Sequence, residues 1–349
     1  FNARFAGDGK TIVFTASERA NDSEIFVIRP EYPEATPLGI PQASLLAVSS
    51  KNELAILTHA RWLGHRIFTG TLARVPLGGG SAREVLENVR DADWSPDGAQ
   101  LAIIREVDGK DRIEYPIGKT LYETSGWLSD VRISPAGDRL AFLEHPAKRF
   151  DDRGGVAVID LSGHHTMLTE GYGGEEGLAW SASGDELLFS AGSGGPYQVF
   201  ITDLKGRVRH PLPAPGTLTL LDVSRDGAWL ASSDDLPTRI KVRAPGSSED
   251  LDMSWLDTSI GGLISADGRT IAFTDQSDAA GTNYAVCIRK TDGSSTIHLG
   301  EGTAGPLSPD GRFVLVMVPS KPDRLMLYPT GPGESRRIDH GELETYSDA

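Results

Sequence analysis

The chain of 349 residues holds a single cysteine, Cys287, so it can form no internal disulfide and no cysteine-based metal cluster. Basic residues are scarce: 34 Lys and Arg stand against 49 Asp and Glu, a formal charge of −15. Neutralising phosphates needs clustered Lys and Arg, so this balance argues against nucleic-acid binding and against docking on an anionic membrane. A charged partner is expected to be basic. Long apolar runs are missing too. No stretch approaches the roughly 18 residues of a spanning helix, and Phe1-Asn2-Ala3-Arg4 does not read as a secretory signal, so any such segment is expected outside this chain. Sustained helical periodicity is absent. Glycine, by contrast, is abundant at 40 residues, within an otherwise ordinary composition, 39% apolar and 24% charged, that excludes disorder.

The glycines mark a repeat. FAGDGKTIVF from Phe5, VSSKNELAI from Val48, WSPDGAQLAI from Trp94, ISPAGDRLAF from Ile133, WSASGDELLF from Trp180, VSRDGAWLAS from Val223, ISADGRTIAF from Ile264 and LSPDGRFVLV from Leu307 are eight copies of one pattern. Their turn positions, Gly9, Asn52, Gly98, Gly137, Gly184, Gly227, Gly268 and Gly311, recur with a mean period of about 43, the length of a four-stranded propeller blade. Ser-Pro-Asp-Gly suits a hairpin: Pro presets φ, Asp tolerates the next position, and Gly takes φ > 0. Asn52, in the one copy without glycine there, is the next-best residue for φ > 0. The run after each turn, such as Leu140-Ala141-Phe142, is apolar without alternation, as expected of a strand covered on both faces. An alternating strand follows, as in Val156–Asp160, and then a more polar one, as in Arg83–Leu86.

Four strands per unit describe an all-β fold, a β-propeller of four-stranded antiparallel blades spanning 1–349 as one domain. Eight blades are expected, with seven the alternative. The chain opens in an innermost strand and ends at Ser347-Asp348-Ala349, which matches Arg90-Asp91-Ala92. The ring is therefore expected to shut without an exchanged strand, or the chain to be cut from a longer one.

WSPDGAQLAI, ISPAGDRLAF and LSPDGRFVLV resemble the TolB-like, WD-related repeats of bacterial propellers, and the likeness runs through nearly the whole chain. FTGTLARVPLGGGSAREVLENVRDADWSPDG, GKTLYETSGWLSDVRISPAGDRLAFLEHP and DDRGGVAVIDLSG resemble more closely the C-terminal propellers of bacterial, notably acidobacterial, serine/threonine protein kinases. That resemblance implies a sensory or docking module behind a kinase domain. The kinase itself is not in this chain, which lacks the H-R-D, D-F-G and glycine-loop motifs.

Catalytic signatures are wanting. No G-x-S-x-G elbow occurs, the Gly78–Ser81 and Gly192–Gly195 clusters fit loop tips, and Gly171-Tyr172-Gly173-Gly174 lacks the context of a phosphate cradle. His59 and His65 lack a third ligand, His164 and His165 sit on a hairpin tip, and Asp151 and Asp152 read as a salt-bridged solvated loop. The expectation is that this chain is no enzyme and carries no cofactor or metal. The loops opposite the repeat turns collect Asp91, Asp93, Trp127, Asp130, Tyr172, Glu175, Glu176, Trp255 and Asp257, with Trp62, Arg149, Phe150 and Tyr284 on outer loops. Aromatics among acids in loops suit a recognition surface for a protein, a basic peptide or a small cationic ligand. The alternative that Trp127 and Trp255 merely wedge between blades stays open, as do a TolB-like envelope scaffold and an enzyme with its site in the central funnel.

Overall fold

A computed structural model describes residues 2–17, 23–64, 66–146, 152–192, 196–211, 216–234, 238–243, 247–256, 258–277, 280–281, 283–318, 320 and 324–339. Among these residues no α-helix occurs. Repeat one forms a four-stranded antiparallel sheet from Ala3–Phe5, Ile12–Ser17, Ser23–Arg29 and Tyr32–Pro41, in chain order. Repeats four, five, seven and eight do the same, beginning at Trp127–Ile133, Gly174–Trp180, Ser259–Ile264 and Thr303–Leu307. The fold class is thus the expected one, an all-β chain of propeller blades. Repeats two and three share one seven-stranded sheet, because the twelve-residue strand Arg83–Trp94 serves as the outer strand of one and the first strand of the next.

The repeat motif acts as its residue types dictate. In every copy the turn position has φ > 0, from 58° at Asn52 to 86° at Gly227. Its amide donates to the carbonyl three residues back, as from Gly98 to Ser95 at 2.7 Å. The Ser95 hydroxyl then bonds the Asp97 carboxylate at 2.5 Å and accepts from the Gln100 amide, locking the hairpin. A side chain at Gly98 would be strained by its φ of 63° and would meet Ser50 and Ser49 at 3.2 and 3.3 Å. Gly98→Val should therefore cost about 1–3 kcal/mol in chemical denaturation. At Gly268, with φ of 70° and open space, the same change reports backbone strain alone.

Contacts divide the chain into two compact units, Phe1–Ala191 with Tyr197–Asp234, and Gly192–Pro196 with Asp235–Ala349. Within unit 1, neighbouring repeats are tied by side chains where no strand ladder exists. Thr15 in repeat one accepts from the Leu45 amide of repeat two at 2.8 Å, and Ser190 in repeat five accepts from Leu220 of repeat six at 2.8 Å. Between repeats three and four the ties are carboxylates: Asp91 takes the Val131 amide, Asp93 that of Ile133, and Asp111 that of Leu128. The Trp180 indole of repeat five donates to the Arg132 carbonyl of repeat four. The circuit of unit 1 closes between repeat one and the first two strands of repeat six, Thr217–Val223 and Trp229–Asp234, where a single ring of eight is expected from the sequence, with seven the alternative. Asp222 in repeat six accepts the Phe5 amide at 2.8 Å, and Arg4 donates to the Leu221 carbonyl at 2.6 Å.

The second strands are not uniformly covered. Arg139–His145 and Glu186–Gly192 are buried almost throughout, whereas Ile12–Ser17 alternates, its Phe14 half-buried and stacked on Phe26. Consecutive turns of unit 1 lie together: the Gly7 amide bonds Asn52, Ser50 bonds the Pro96 carbonyl, and Pro96 and Pro135 pack over Gly137 and Gly184. In unit 2, Thr274 of repeat seven accepts the Ala304 amide of repeat eight, the same device again. One of its cores joins Ile240, Val242 and Met253 to Ile271, Phe273, Ala285 and Cys287.

Candidate functional site

The first strands of unit 1 run toward the repeat turns, so their opening residues, Trp127–Asp130 and Gly174–Glu176, lie at the opposite end. Charge is concentrated there and along the inner wall. Two residues before the serine of the turn, or Ala6 in its place, repeats one, three, four and six carry Arg4, Asp93, Arg132 and Asp222. Repeats seven and eight carry Leu263 and Pro306 at that position.

Arg4 and Arg132 are 5% and 6% exposed, and each donates to its neighbouring carbonyl. Burial and the nearby Arg132 push Arg4 down to about 10. Burial works against the Arg132 charge, but Asp91, Asp93 and Asp130 more than offset it and raise its pKa. Burial in turn raises Asp91, Asp222 and Asp93, the last to about 6 with Arg132 opposing. These carboxyls touch solvent yet sit deep among protein atoms.

At the end opposite the turns, Arg66 reaches from the hairpin Glu53–Gly64/Ile67–Pro76 of repeat two to repeats four and five. One terminal nitrogen donates to Asp130 Oδ2 at 3.1 Å, the other to the Glu175 carbonyl at 2.9 Å and to Ser129 Oγ at 3.4 Å. Its Nε lies 3.7 Å from Asp152 and 3.8 Å from Glu176, and its plane carbon 5.9 Å from the Trp127 ring centre. Burial opposes the Arg66 charge, but Glu176, Asp130 and Asp152 hold its pKa above the ordinary value. Burial likewise opposes the Asp130 charge, and Arg66 with Arg132 brings it down to about 2.

Beneath Arg66, His145 stacks on Trp127 with ring centres 3.7 Å apart. Burial, then the Arg66 charge, depresses His145 to about 4, so it is neutral at pH 7. Its Nδ1 faces the Asp152 carbonyl, which can only accept, so Nδ1 carries the proton and Nε2 accepts from Ser129. Glu175 is fully buried, and its carboxyl makes no hydrogen bond to Arg66. Burial pushes it up to about 8, against Arg66 and the Thr169 hydroxyl, so it holds a proton at neutral pH.

Of the residues expected at a recognition face, the structure brings Trp127, Asp130, Glu175 and Glu176 together around Arg66. Asp91 and Asp93 lie on the adjoining inner wall. Trp127 is 2% exposed, so it wedges in the interior rather than presenting its ring. Tyr172 packs on Phe189 and Phe200 within a core. Trp255 belongs to unit 2, stacked on His298, with Tyr284 also in that unit. Asp257, His65, Arg149, Phe150 and Asp151 lie outside the described residues. Asp152 is buried beside Arg66 rather than in a solvated loop. His165 bonds Glu144 and stacks on Tyr122, and His59 pairs with Glu84. No cluster of three metal-ligating side chains occurs among the described residues. Sequence reasoning missed Arg66, Arg4, Arg132 and Asp222; the last three were signalled by charge at a fixed register before the turn.

No protein-family model matches the chain, and the search of characterised proteins finds no relative. Among solved structures it is similar to TolB from Acinetobacter baumannii, at 14% identity over 93% of this chain and 80% of that one, with a TM-score of 0.40. An oligogalacturonate lyase in complex with manganese matches at 13% identity, over 94% and 88% of the two chains, with a TM-score of 0.45. The β-propeller domain of the Trilobed protease from Pyrococcus furiosus matches at 13%, over 98% of both, at 0.40. The expectation that this chain is no enzyme is corrected here. Solved structures of similar architecture include a lyase and the propeller domain of a protease, and the fold establishes no activity.

Proposed function

We propose that unit 1 is a recognition propeller for a basic protein segment, bound at the end of the six-repeat circuit where Arg66 sits. One observation carries this reading. Three carboxylates, Asp130, Asp152 and Glu176, gather around the Arg66 guanidinium at the end of unit 1 opposite the repeat turns, in a chain of formal charge −15. Partly buried carboxylates of this kind attract and orient cations, and those at the rim act mainly on association rate. The resemblance to kinase C-terminal propellers supports placing this module behind a kinase domain; the reading frame upstream of Phe1 tests that part.

The binding reading is tested by titrating arginine- and lysine-containing peptides into the protein at low and high salt. Saturable binding that weakens with salt is expected. Glu176, whose side chain is one-third exposed, should affect approach more than retention. Glu176→Gln should slow association roughly two- to fivefold at low salt and leave dissociation nearly unchanged. Binding indifferent to salt and to Glu176 would remove the acidic cluster from the account.

A further inference from the structure

We infer that the receptacle around Arg66 is a guanidinium-binding site, that Arg66 is its built-in occupant, and that an arginine side chain of a partner displaces it. This rests on the recognition role proposed above and narrows it to one cation chemistry. The receptacle meets the guanidinium fork on several edges: Asp130 at one terminal nitrogen, the Glu175 carbonyl and Ser129 at the other, Asp152 and Glu176 facing Nε, and the Trp127 ring under the plane. An ammonium is a compact point charge and could engage only part of that outline, whereas a planar fork engages all of it.

Two observations mark Arg66 as an imperfect fit. Its Nε is buried yet makes no hydrogen bond, since Asp152 and Glu176 stand at 3.7 and 3.8 Å. Glu175, 0% exposed, has a carboxyl that Arg66 does not engage by a hydrogen bond, because Arg66 takes its backbone carbonyl instead. A buried donor is thus left unmatched, which is costly, and a buried carboxyl beside it is left unused; a guanidinium arriving along another path can engage that carboxyl. The occupant is also delivered by a hairpin tip rather than by the wall of the site. Arg61, Trp62 and Phe68 on that tip are exposed, and the hairpin register shifts between Thr58 and Arg61 and again between Trp62 and Gly64.

The test uses N-acetyl-arginine amide, titrated by calorimetry into the wild-type protein and into Arg66→Ala, with N-acetyl-lysine amide as control. Arg66→Ala should bind the arginine amide saturably and at least tenfold more tightly than the wild type does, and should bind the lysine amide at least tenfold more weakly. Adding Asp130→Asn to that variant should abolish the binding. Arg66→Met keeps the apolar stem and should behave like Arg66→Ala. If either variant folds poorly, its refolding yield should rise with the arginine amide and not with the lysine amide. Equal response to both amides, or no gain over wild type in affinity or yield, would overturn the inference. That result would leave peptide binding by the wild type untouched, and a wild type that binds no basic peptide would leave the emptied-site result standing.

Discussion

Replacing Glu175 by Gln should make the protein more stable than wild type at pH 9 and leave it little changed at pH 5. The Glu175 carboxyl is fully enclosed and pushed up to about 8, far above its value of 4.5 in an unfolded chain. Between those two values the folded protein retains a proton that the unfolded chain has lost. Its contribution is therefore whole below about pH 4.5 and is lost as pH rises through 8. At about 1.4 kcal/mol per pH unit, the loss across this window is on the order of 5 kcal/mol. Glutamine is neutral at every pH and abolishes the slope. Denaturant midpoints from pH 5 to pH 9 should converge at the acid end, separate up to about pH 8 and hold their separation above it. Parallel curves for the two proteins would show that the carboxyl ionises freely.

Asp111→Ala should destabilise the protein by about 3–5 kcal/mol, the range seen when one partner of a buried ion pair is removed. Asp111 and Arg90 form such a pair, each side chain 4% exposed, and the same carboxylate accepts the Leu128 amide at 2.9 Å. Alanine leaves the guanidinium without its carboxylate and the amide without an acceptor. Leu128 lies between Trp127 and Ser129, so the change also loosens the strand that presents Asp130 to Arg66. Faster exchange of the Leu128 amide should accompany the loss of stability. An unchanged denaturation midpoint would mean that Asp111 holds nothing together.

The blades were legible because a local device writes them. A Ser, a turn residue and a glycine at fixed offsets need no distant partner, and each of the eight turns adopts the φ > 0 that its Gly or Asn permits. The inter-repeat ties were half legible. Thr15, Ser190 and Thr274 each hold an amide 30 residues ahead, a spacing visible in the sequence but without meaning until the strands are stacked. Closure on six repeats was not legible. It depends on Asp222 meeting Phe5 and Arg4 meeting Leu221 across 217 residues, and turn spacing is the same whether a circuit closes on six or on eight. At the site, Trp127, Asp130, Glu175 and Glu176 were found as acids and aromatics in loops, yet composition could not say which of them face inward. Arg66 was missed because its role comes from reaching past repeat three to repeats four and five, and one arginine on a hairpin carries no pattern.

Amide hydrogen exchange on the protein with and without a bound arginine-rich peptide tests the recognition reading most directly. Slowed exchange is expected at 128–131 and 174–177, around Asp130 and Glu176, with the repeat turns at 95–99, 134–138 and 181–185 unaffected. Protection confined to those turns would place the partner on the opposite end of unit 1 and contradict it.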